Sequence, residues 1–129
     1  MKRIKKFVFL SLATALLVAP MSSFADSSII TSKEGVGINV TDIIMQNKNT
    51  RSTTQGKKVS VLGGKLWTTW RDGRDFRANY DHSSKMHMCT AQNANGRPVR
   101  GSWTSKGRTA TSPWDYQTAY GNRIFGNTK

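Results

Sequence analysis

Basic side chains are the most direct chemistry this sequence offers. Arg71, Arg74 and Arg77 recur at spacings of three around Gly73, and Arg97, Arg100, Lys106 and Arg108 follow in a stretch without any acidic residue. A guanidinium presents planar, permanently charged donors that bind phosphates and carboxylates through paired hydrogen bonds. Asp72 and Asp75 interleave with the first set and weaken its field, so the second set is the cleaner candidate anion site. Gly101 and Gly107 add candidate backbone NH donors there. The plain alternative for both sets is a solvated, charged face.

His82, His87 and Cys89, with Asp81 beside them, are residue types that bind zinc. Their spacing does not describe a closed four-ligand site, so both histidines read as hydrogen-bonded structural residues and no metal or other cofactor is expected. Cys89 and His87 lack the third, orienting group of a nucleophilic pair, and no G-x-S-x-G motif is present. The expectation is therefore no enzyme and no catalytic residue. A lone cysteine also forbids an intramolecular disulfide. Cys89 reads as a small buried apolar side chain, with cross-linking into a homodimer as the alternative.

Trp67, Trp70, Trp103 and Trp114 either form an aromatic belt at a lipid headgroup layer or fill a core, and the core is expected for most. Trp67 and Trp70 differ by an odd number, which sends them to opposite faces of a strand. One of them is exposed unless the sheet is covered on both sides, and Trp70, beside Arg71, is marked for that position.

The elements that hold these side chains are short. The chain has 129 residues, 36% hydrophobic, with a formal charge of +13. That excludes a large multidomain enzyme and argues for anionic partners. Residues 1–25 read as a secretory signal peptide: Lys2, Arg3, Lys5 and Lys6, then an apolar stretch over 7–18, then Pro20 and the small-residue site Ser23-Phe24-Ala25. Cleavage after Ala25 leaves 16 basic and 7 acidic residues, a net of +9, on a secreted, extracellular protein. Residues 26–56 lack aromatics and include a polar run over 46–58, the composition of a flexible segment. Within it Val36, Ile38 and Val40 alternate and Ile43, Ile44 and Met45 cluster, the pattern of a short strand or nascent helix before the linker.

Residues 57–129 change texture to short alternating runs cut by Gly, Asn, Asp and Pro. Strands are expected over 57–62, 66–70, 76–80, 85–92, 99–104, 108–112 and 116–120, which gives an all-β fold, a small antiparallel β-sandwich. Asn95-Gly96 can adopt the positive φ values of a tight hairpin, pairing 85–92 with the strand after Pro98. The strand over 85–92 puts His87, Cys89 and Ala91 on one face and Met86, Met88 and Thr90 on the other. Both faces are fairly apolar, which marks it as central.

Gly63-Gly64-Lys65-Leu66-Trp67, the run Asn79-Tyr80-Asp81-His82-Ser83-Ser84-Lys85-Met86-His87, the turn ending Asn95-Gly96-Arg97, and Gly101-Ser102-Trp103 together resemble the lactococcin 972 family of secreted bacteriocins. The resemblance spans about 63–121. Its motif residues here are Gly63, Gly64, Trp67, Asn79, Tyr80, His82, Lys85, His87 and Trp103. It implies a small exported β-sandwich that binds the cell-wall precursor lipid II, or another anionic envelope component, and blocks septum formation. It also implies a separate immunity protein in the producing cell. The expected function is a secreted antibacterial polypeptide, and the alternative is a basic envelope- or polyanion-binding module without antibacterial activity.

Overall fold

Alternating apolar and polar side chains, interrupted every few residues by turn formers, produce short paired strands. The computed structural model describes residues 28–45 and 53–129. Its elements are β1 (Ile29–Ser32), β2 (Gly35–Asn39), α1 (Thr41–Met45), β3 (Thr53–Gln55), β4 (Val59–Val61), β5 (Gly64–Arg71), β6 (Asp75–Asp81), β7 (His87–Gln92), β8 (Pro98–Arg100), β9 (Thr109–Thr111), β10 (Asp115–Tyr116) and β11 (Arg123–Thr128). The first sheet runs β9–β6–β5–β3, with β4 also paired to β5 and β10 to β6; the second runs β1–β2–β11–β7–β8. Every pairing is antiparallel. The fold is an all-β sandwich.

The core lies between the sheets. Leu66 and Trp70 from β5 and Phe76, Ala78 and Tyr80 from β6 meet Ile38, Cys89, Ala91 and Ile124 from the second sheet. Full burial of a side chain such as Phe76 is worth about 1.5–3 kcal/mol, so a few aromatics compensate for scarce aliphatics. Tyr80 is completely buried and its hydroxyl donates to the Val61 carbonyl at 2.6 Å. A Cβ at Gly64 would stand 2.3 Å from the Asp81 carbonyl oxygen and 2.8 Å from the Tyr80 ring, so only glycine fits there.

Several expectations need correction. Residues 29–45 are not a flexible segment. β1 and β2 extend the second sheet, and Ile38, Val40 and Ile44 are buried. The alternation of Val36, Ile38 and Val40 prevails over the polar composition because it presents an apolar face to the core. Asn39 then accepts a hydrogen bond from the Thr41 amide at 2.9 Å and starts α1. The sandwich therefore does not begin at residue 57, since β3 already pairs with β5. The signal peptide over 1–25 and most of the polar run, 46–52, lie outside the described residues.

The strand expected over 116–120 is only Asp115–Tyr116, and β11 replaces it as the last strand. The hairpin after β7 does pair Gln92 with Pro98. Of Asn95 and Gly96, however, only Gly96 has a positive φ, 82°. The Asn93 side chain takes the Asn95 amide at 2.9 Å and its carbonyl takes the Gly96 amide at 3.0 Å, closing the turn another way. Trp70 is a core residue, 1% exposed, rather than a surface one. Its neighbour Trp67 lies on the outer face of β5 yet is covered by Gln55, which accepts from Nε1 at 2.8 Å, and by Lys58, whose Nζ is 4.3 Å from the ring. β7 is an interior strand, flanked by β11 and the edge strand β8, while β11 is the middle strand of that sheet.

Candidate anion-binding pole

At one end of the sandwich two histidines tie together the segments that connect the strands. His82 is buried; its Nδ1 accepts from the Ser84 and Lys85 amides at 3.2 and 3.1 Å. That leaves Nε2–H to donate to the Leu62 carbonyl at 3.0 Å, fastening the 82–86 loop to the β4–β5 turn. The His82 carbonyl accepts from the Gly107 amide at 2.8 Å, which brings in the loop before β9. His87, fully buried, sets Nδ1 2.8 Å from the Lys85 carbonyl and Nε2 2.7 Å from the Arg108 carbonyl. Both ring nitrogens thus face backbone carbonyls of different segments. Tyr80 packs edge-on against both rings. These are hydrogen-bonded structural histidines, their nitrogens occupied by the backbone.

The lashed segments carry unpaired cations outward. Lys85, Lys106, Arg108 and Lys129 are exposed, and none forms an ion pair among the described residues. Lys129 joins this end through its amide, which donates to the Met86 carbonyl at 3.1 Å, and its Nζ stands 4.6 Å from the Trp103 ring. Leu62, Met86 and Trp103 expose 46%, 42% and 37% of their surface at the same end. Leu62 and Gly63 form the two-residue β4–β5 turn with φ of 48° and 82°. Such turns favour Asn-Gly, and leucine in that conformation is strained.

The arginine sets read from the sequence do not assemble as sites. Arg100 is not free of acids, because Glu34, far away in sequence, takes its guanidinium in two hydrogen bonds of 2.7 and 2.6 Å. Arg97 sits at the Gln92 end of β7 while Arg108 sits at the His87 end, about 17 Å apart at 3.3 Å per residue. The Gly101 and Gly107 amides are already spent, on the Cys89 and His82 carbonyls at 2.9 and 2.8 Å. Arg71 holds Asp75 in two hydrogen bonds, and Arg71 and Arg77 both stack on Trp114, at 4.0 and 4.5 Å from the ring. Arg74 is exposed at the β5–β6 turn.

Of the motif residues, Lys85 and Trp103 reach the surface of the basic end. Gly63, Gly64, Tyr80, His82 and His87 build it. Trp67 and Asn79 pair across β5 and β6 on the outer face, where Asn79 donates to Thr69 Oγ1 at 2.8 Å. Reading along the chain misses Lys129, Leu62 and Met86, because only the pairing of distant loops makes them neighbours. Cys89 is fully buried and its thiol contacts the Ala78 carbonyl at 3.3 Å; burial pushes its pKa up to about 12, so the sulfur stays protonated. Comparisons with family models, with curated proteins and with solved structures find no match for this chain.

Proposed function

We propose that this protein is a secreted antibacterial polypeptide that binds a phosphate-bearing cell-wall precursor such as lipid II on target bacteria and blocks septum and wall synthesis. No covalent bond is made or broken. The observation that carries the reading is the basic end: four unpaired cations, Lys85, Lys106, Arg108 and Lys129, beside the exposed Leu62, Met86 and Trp103. A membrane-borne pyrophosphate offers two things at once, fixed negative charge and an apolar boundary. Cations beside apolar tips complement both. The rigid histidine lashing lets these side chains meet the ligand without first ordering their loops.

The test compares purified wild type with the triple variant Lys85→Glu, Lys106→Glu, Arg108→Glu. Wild type is expected to inhibit growth of a sensitive strain, to be antagonised by added soluble lipid II, and to bind vesicles doped with lipid II. The triple variant, all of whose changes are at exposed positions, should keep the fold and lose all three properties. Growth inhibition that added lipid II does not relieve, or a wild-type protein that never inhibits growth, overturns the proposal. Binding to any anionic vesicle regardless of lipid II, without inhibition, would instead identify a polyanion-adhesive module.

A further inference from the structure

The opposite end of the sandwich holds a cleft of about 670 Å³ lined by Asp75, Asn93, Asn95, Arg97, Val99, Trp114, Asp115 and Tyr116. It opens between the β7–β8 hairpin of one sheet and β10 at the edge of the other. Clefts that bind small molecules occupy roughly 300–1,000 Å³. We propose that this cleft binds a neutral oligosaccharide, with Tyr116 as the stacking platform, the edge of Trp114 as an apolar wall, and Asn95 and Arg97 as hydrogen-bond donors to hydroxyl groups. The inference stands apart from the antibacterial reading, which uses the other end.

The lining is already ordered. The Asn93 amide and side-chain NH2 donate to the Asp115 carboxylate at 3.0 and 3.3 Å, and the same NH2 donates to the Tyr116 carbonyl at 3.1 Å. Trp114 is fixed by the two guanidinium groups stacked on it. Tyr116, 78% exposed, is therefore the aromatic face left open to a ligand, with Trp114 a fixed wall beside it.

Charge decides the ligand class. Asp115 is tied to amides and has no cationic partner among the described residues, so it repels an anion entering beside it. A cation is opposed by the Arg97 guanidinium, which forms no ion pair among the described residues, and by Arg71, which already consumes Asp75. A neutral ligand with apolar faces and a hydroxyl rim escapes both penalties. Sugar rings have that anatomy: their CH faces lie on aromatic rings and their hydroxyls pair with planar amide and guanidinium groups.

The experiment titrates the full purified protein with cellotetraose and with chitotetraose, read by tryptophan fluorescence and amide NMR shifts. At least one sugar is expected to perturb Asn95, Arg97, Trp114 and Tyr116 saturably. Tyr116→Ala, at an exposed position, should weaken that binding about tenfold, the loss of one stacking anchor. Tyr120→Ala, equally exposed but outside the cleft, should match wild type. Absence of binding by both sugars, shifts confined to the basic end, equal affinity of the Tyr116→Ala protein, or displacement of the sugar by inorganic phosphate each overturns the proposal. The assay involves no cells, so its failure is separate from any failure of antibacterial action.

Discussion

The two ends of the sandwich solve opposite problems with the same strands. At the His82–His87 end, polar backbone atoms are consumed internally and the cations are left unpaired. At the Asn93–Asp115 end, the carboxylates are consumed and aromatic surface is left open. Both ends depend on a buried planar side chain that bonds to neighbouring loops: imidazole at one, carboxamide at the other. Position in the fold therefore governs which charges are available, and density of charge along the sequence does not. Arg97, Arg100, Lys106 and Arg108 are close in sequence, yet one is neutralised and the others face different ends.

The largest expected effect tests whether the ends are independent. His87→Ala orphans the Lys85 and Arg108 carbonyls and should destabilise the fold by about 3 kcal/mol, measured by urea unfolding. Amide shifts should concentrate in 82–87 and 104–108; equally large shifts over 93–97 would break the comparison. The next effect belongs to the core shared by both ends. Burial raises the Cys89 pKa from 9.0 to about 12. A group raised on folding contributes its full stability below the unfolded value and loses it as pH climbs toward the folded one. Stability should thus decline above pH 9, with Cys89 supplying about 1.4 kcal/mol per pH unit of that slope. Cys89→Ala should flatten the decline in alkaline denaturation curves, and an unchanged slope would contradict the burial. The smallest effect concerns Leu62. Leu62→Asn suits the turn and should stabilise the protein by about 1 kcal/mol while weakening binding to vesicles doped with lipid II. A variant both more stable and equally adhesive would remove Leu62 from the basic end's function.

The strand texture after Val59 is legible because alternation of period two is a local signal, and the β7–β8 hairpin is legible because its turn residues are. β1 and β2 are hidden by the polar stretch that follows them, and β11 by its composition: Ile124 and Phe125 are its only large apolar residues. The candidate site is less legible still. Lys106 and Arg108 stand out in sequence as cations, but Lys85 and Lys129 are brought beside them by hydrogen bonds of His82, His87 and Met86 that span distant segments. The Glu34–Arg100 pair joins residues 66 positions apart, a separation no local reading bridges.

The place of β11 in the second sheet has a further consequence. Residues 123–128 lie between β2 and β7, so the two halves of that sheet cannot join until the chain through Thr128 is free to fold. The first sheet, complete by Tyr116, is under no such delay. Loss of six residues from this final strand would leave the earlier ribbons without the seam that joins them.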